Sequence, residues 1–163
     1  MNQLQGANFC ATNSGWAAGT TSTTSVANAV VYCVNGKVYN KQAANNVAAA
    51  TTDYATGVAF KPVPANHGSV FVACLEAGTD AAVKIVQGEV VELDAAGNFI
   101  TNPEFPVLPN TVTAIGYTII KAGASYVATT TGWLWGAHNM SGVTGMVYTF
   151  VPVMVLPDRP QAS

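Results

Sequence analysis

A mainly β fold is what this sequence predicts: a single antiparallel β-sandwich or partly closed barrel, with an extended N-terminal arm and C-terminal tail. Three observations point there. The runs SVFVACLEAG, AAVKIVQGEVVEL, TVTAIGYTIIKAG and GMVYTFVPVMVL are rich in β-branched and aromatic residues, and each is bounded by Gly, Pro, Asn or Asp. Asn35-Gly36 stands between two apolar runs and supplies the positive φ angles of a type I′ hairpin turn. Short strands at regular spacing with turn signals between them are the pattern of sandwiches and barrels.

Taken in order, residues 1–28 are expected to be an extended arm. The stretch ATNSGWAAGTTSTTSVANA is low in complexity and too poor in apolar groups to fold alone, so it is either flexible or ordered by a neighbour. Trp16 is its one large anchor. Residues 29–155 form the β-rich domain, opening with the Asn35-Gly36 hairpin. The alanines of NNVAAATTDYATGVAF permit a short helix, while Thr51, Thr52 and Gly57 oppose a long one.

Pro62 and Pro64 then enforce extended backbone. Val83, Ile85, Val91 and Leu93 alternate with Lys84 and Glu92, which predicts a strand pair with one wet face and a bend at Gly88. DAAGN reads as a turn. FITNPEFPVLPN, with Pro103, Pro106 and Pro109, reads as an extended crossover outside any sheet interior. TVTAIGYTII lacks a clean alternation and is expected to be a central strand covered on both sides. Residues 156–163 should leave the domain as an extended strap. No internal repeat is evident.

Composition narrows the function. The chain has 163 residues, half of them hydrophobic and only 9% charged, against roughly 25% charged in ordinary soluble domains. So little charge suggests an exterior covered by other subunits or by a larger particle, or else a surface of Thr, Ser, Asn and Ala. Six Lys and Arg against eight Asp and Glu form no basic stripe, which argues against a nucleic-acid partner. No apolar stretch approaches the ~20 residues of a membrane-spanning helix. MNQLQGANFC has neither a basic nor an apolar signal region, so export is not expected. Cys10, Cys33 and Cys74 are irregularly spaced and are expected to stay reduced, the latter two as small buried hydrophobes.

No catalytic set is expected. His67 and His138 lack Cys, Asp or Glu at metal-ligand spacing, so neither metal nor cofactor is predicted, and His67 reads as a turn residue bonding backbone. No G-x-S-x-G elbow, phosphate loop or basic neighbour to a cysteine is found. Glu89 and Glu92, three apart on a strand, would face opposite ways.

TGWLWGAHNMSG is the most conspicuous stretch. Trp133 and Trp135 share a face if the segment is a strand, either filling a core or subunit interface or stacking on a sugar ring. Gly132, Gly136 and Gly142 would mark tight turns, with Asn139 and Ser141 bonding the loop backbone. Arg159, the only arginine, is a candidate partner for a carboxylate across an interface, such as Asp158 of a neighbour.

The order AVKIVQGEVVELDAAGNF, FPVLPNTVTAIGYTIIKAG, TGWLWGAHNMSGVTG and VLPDRP, over about residues 69–160, resembles the capsid decoration (cement) proteins and related head-surface proteins of tailed bacteriophages. That resemblance implies a non-enzymatic, β-rich structural protein, commonly a homotrimer, bound where capsomers meet on the outside of the shell. It also implies a virion location after synthesis in the host bacterial cytoplasm. The implied partners are the major capsid protein and sister copies, with no nucleic acid, membrane or cofactor. Met140 stands where the family often has a second aromatic. On this reading Trp16, Trp133, Trp135 and Arg159 are the candidate interface or structural residues. A carbohydrate-binding β-sandwich module using Trp133 and Trp135, or another tail or adaptor component, is the alternative.

Overall fold

The β-branched runs become strands. The computed structural model describes residues 7–127 and 131–160. Among these, eleven strands follow one another: β1 (Phe9–Cys10), β2 (Trp16–Ala18), β3 (Thr23–Val26), β4 (Val30–Val34), β5 (Lys37–Lys41), β6 (Ala44–Ala48), β7 (His67–Glu76), β8 (Val83–Gln87), β9 (Val91–Glu92), β10 (Val112–Ala122) and β11 (Met146–Pro152). The fold is mainly β, three antiparallel sheets packed together without closing into a barrel. The expected hairpin joins β4 to β5, with Asn35 at φ 52° and Gly36 at φ 78°.

The central sheet runs β11-β10-β7-β8, with β9 also on β7. Its two long strands, β7 and β10, are buried almost end to end. On β7 the side chains alternate between two cores, Phe71, Ala73 and Leu75 facing one and Val70, Val72 and Cys74 the other. On β10 the alternation breaks. Val112 and Ala114 face the second core, Ile115 the first, and then Tyr117 and Ile119 return to the second. The break is a β-bulge: the register with β7 shifts between Ala114 and Gly116. One extra residue reverses the facing of everything after it. This is the physical reason that TVTAIGYTII shows no simple period, and the strand is indeed covered on both faces.

The first face is covered by the two small sheets, β1-β4-β5 and β2-β3-β6, through Cys10, Trp16, Val26, Val30, Tyr32 and Val34. The second face is covered by irregular chain. Phe99, Phe105 and Leu108 of the proline-rich crossover pack there, together with Val153 and Leu156. Prolines keep that crossover out of the ladders, yet its apolar side chains still roof the sheet.

Four expectations change. Residues 9–26, expected in an extended arm, carry β1, β2 and β3, and Trp16 is 2% exposed in the chain's own core. The segment cannot fold alone, but each piece finds a ladder partner far along the chain, such as β4 for β1 and β6 for β3. Residues 1–6, the rest of the expected arm, lie outside the described residues, as do 161–163 of the tail. The short helix permitted within residues 45–60 does not form: residues 45–48 belong to the strand β6 and 49–60 are turns and irregular chain. Strands β8 and β9 do not pair with each other but follow one another along β7, and Ile85 and Val86 are both buried, one in each core, so β8 has no wet face there.

Candidate functional site

In TGWLWGAHNMSG the backbone, not a strand ladder, sets the geometry. Trp133 makes a single antiparallel bridge to Val63, each backbone N–H donating to the other's carbonyl at 2.8 Å. The chain then turns: the N–H groups of Ala137 and His138 both donate to the Leu134 carbonyl. Leu134 N–H donates to His138 Nδ1 at 2.9 Å, so that ring nitrogen is an acceptor and the imidazole closes its own loop. Gly136, at φ 75°, has the Ala50 carbonyl 2.6 Å from where a Cβ would stand, so only glycine fits.

Because the turn intervenes, Trp133 and Trp135 do not share a strand face. Their rings meet edge to face, 6.0 Å apart at 85°. Both are essentially unexposed, at 0% and 1%. Neither ring therefore offers a face to a sugar, and of the two uses expected for the pair, the core is the one the structure has. Trp135 stacks on Phe71 at 4.7 Å and on Trp16 at 6.5 Å, and Phe60 closes a third side.

Hydrogen bonding ties the cluster together. The Asn139 carbonyl accepts from Trp133 Nε1 and from Tyr148 Oη, each at 3.1 Å, so Asn139 serves through its main chain. Burial pushes the Tyr148 phenol up to about 12. Met140 is fully buried and its N–H donates to the Thr21 carbonyl.

A second unit was not legible in the sequence. Gly116, just past the bulge, lets Trp16 lie directly on β10, where a Cβ would come 2.6 Å from Trp16 Cγ. Trp16 Nε1 donates to Thr118 Oγ1 at 2.9 Å, and Ser14 Oγ donates to the Ile115 carbonyl at 2.6 Å. The segment with no apolar run of its own is thus fastened to the bulge by one ring and two buried hydrogen bonds.

The remaining polar groups are dispersed. His67 Nδ1 donates to the Ala65 carbonyl at 2.9 Å, so the side chain bonds backbone as expected, but from the first position of β7 and not from within a turn. Tyr54 Oη donates to Glu76 Oε1, whose other oxygen lies 3.5 Å from Lys84 Nζ. Asp94 Oδ1 accepts from the N–H groups of Asn98 and Ala96, and these bonds, Asn98's first, hold its carboxyl below its ordinary value and shape the DAAGN turn. Among the described residues, no three His, Cys, Asp or Glu side chains gather as metal ligands would. Arg159 is exposed beside the crossover, in a pocket it shares with Lys121.

Cys10, Cys33 and Cys74 are free and buried. Burial pushes the thiols of Cys10 and Cys74 up, which withholds the reactive thiolate. Ellman's reagent at about pH 8 is expected to leave the native protein untouched for minutes and to titrate all three thiols once guanidinium unfolds it. Rapid reaction of any thiol in the native state would contradict this packing.

No family model, curated protein or solved structure matches the chain.

Proposed function

We propose that this is a non-enzymatic structural protein of a phage virion, a cement protein that binds the outside of the head as a trimer and stabilises the shell. One observation carries the assembly part of the reading. The small sheet β1-β4-β5 carries large apolar side chains on both faces. Its inner residues Val30, Tyr32 and Val34 belong to the core, while its outer face presents Phe9, Val31 and Val38, at 41%, 36% and 62% exposed. Phe9 and Val38 flank Cys33 in register across the three strands, and Val31 lies two residues along on the same side. A contiguous apolar face on a chain with so few charges favours burial against another protein.

The site chemistry agrees with this reading. Trp16, Trp133 and Trp135 are occupied in the core, so their rings are not available for an outside contact. The placement on a phage head rests on the sequence resemblance over residues 69–160.

The test is to add purified protein to heads assembled without it. Stoichiometric binding, with raised resistance of the heads to heat, is the expected result. A protein that stays monomeric at micromolar concentration in sedimentation and leaves the heads unbound would overturn the proposal.

A further inference from the structure

A strand at the edge of a sheet leaves every second backbone N–H and C=O without a ladder partner, and folds blunt such edges with charges, irregular backbone or covering chain. Three edges of this protein are treated in that way. Strand β5 carries Lys37 and Lys41, and its Asn40 carbonyl accepts from Asp80 N–H at 2.8 Å. Strand β6 is broken by Asn46 at φ 54° and by a register shift against β3. Strand β8 is capped: the Ile85 carbonyl accepts from Tyr54 N–H at 2.8 Å, and Gln87 N–H donates to Asp53 Oδ1 at 3.2 Å.

Strand β11, at the opposite edge of the central sheet from β8, has none of these devices. MVYTFVP contains no charged residue and pairs with β10 in unbroken register. Two flanking bonds fix its phase, from Gly123 N–H to the Gly145 carbonyl and from Val153 N–H to the Ile115 carbonyl. Odd-numbered residues therefore bond β10, and Met146, Tyr148, Phe150 and Pro152 turn their backbone groups outward. Met146 N–H already donates to the Val143 carbonyl, and proline has no N–H, so the outward donors are those of Tyr148 and Phe150. Among the described residues neither has a backbone partner. Val147, on the same strand, is 56% exposed.

We propose that β11 pairs antiparallel with β11 of a second copy of this chain, joining two central sheets into one. Antiparallel pairing of identical strands is two-fold symmetric, so a single edge serves both sides of the contact. With Thr149 opposite its own copy, Tyr148 N–H donates to the Phe150 carbonyl of the second copy, and Phe150 N–H to its Tyr148 carbonyl. The symmetry repeats both bonds, and each outward donor is satisfied. The same register lays exposed Val147 beside Val151 of the second copy, a cross-strand β-branched pair. An uncharged strand meets its own copy without the like-charge repulsion that a lysine-bearing edge would suffer. This contact goes beyond the cement reading: it is two-fold, and separate from the face of Phe9, Val31 and Val38.

The test is amide hydrogen exchange of the full chain by NMR, from micromolar to millimolar concentration, alongside sedimentation. As the dimer forms, the Tyr148 and Phe150 amides are expected to slow about tenfold or more, while Thr149 and Val151, bonded to β10, are protected throughout. Thr149→Lys and Thr149→Glu are each expected to weaken self-association about tenfold, and an equal mixture of the two to restore it. The pairing is overturned if the Tyr148 and Phe150 amides stay fast at every concentration or are protected even in dilute monomer. It is equally overturned if their protection appears only on adding phage heads, if the folded variants associate like the wild type, or if mixing restores nothing. Should either variant fail to fold, the exchange of the wild type decides alone. Uptake by heads of a protein whose two amides stay fast keeps the cement role and removes the pairing. A dimer with protected amides that heads do not take up keeps the pairing and removes the cement role.

Discussion

Replacing Trp135 with alanine is expected to lower the unfolding free energy by about 3–5 kcal/mol, read as a fall in the urea midpoint. The indole touches Trp16, Phe60, Phe71 and Trp133, so its removal opens a cavity where elements from both halves of the chain meet. The two tryptophans that stack there differ in one respect. Trp16 Nε1 is hydrogen-bonded to Thr118, whereas Trp135 Nε1 is buried without a partner. An unpaired buried N–H costs on the order of 1–3 kcal/mol, and phenylalanine removes that cost along with the group. Trp135→Phe is therefore expected to destabilise clearly less than Trp16→Phe, which also breaks a buried bond. Equal losses, or the reverse order, would show that the indole nitrogen of Trp135 is satisfied in solution.

Gly116→Ala is expected to destabilise the protein by about 1–3 kcal/mol or more, although it adds a single methyl group. The new Cβ would meet Trp16 Cγ at 2.6 Å and Trp16 Cβ at 2.7 Å, inside any ordinary contact. Trp16 has little freedom to retreat, because Thr118 holds its nitrogen and Trp135 and Phe150 pack against its ring. The clash, not backbone strain, is the cause, so a smaller residue at position 16 should relieve it. In a double-mutant cycle, Trp16→Leu combined with Gly116→Ala should cost less than the sum of the single changes. Strict additivity would mean that the N-terminal segment does not lie on β10 in solution.

Both experiments probe the junction that sequence reading placed wrongly. Residues 11–29 contain one large apolar side chain, and nothing local tells it to stay home. It is held by Ser14 and Trp16 acting on Ile115, Gly116 and Thr118, about a hundred positions away in the chain. Such long-range partners leave no trace in a window of sequence, and neither does the β10 bulge, which appears beforehand only as a failure of periodicity. The facing of Trp133 and Trp135, though not their burial, was misread for a related reason. A spacing of two implies a shared face on a strand, but the turn after Leu134 sets the rings at right angles instead. The pocket of Lys121 and Arg159 was half visible: the lone arginine stood out, while its lysine neighbour lay in the run of a buried strand.

By itself the sequence determined what depends on neighbours along the chain. The β-branched runs became strands, Asn35-Gly36 became a hairpin turn, and the prolines held the crossover out of the ladders. Only the tertiary structure decided which strands share a sheet, which way residues face beyond the bulge, and that the tryptophans are spent inside. The reason is that φ/ψ preference and period are local properties. Pairing and packing depend on which surfaces meet once the chain has closed on itself.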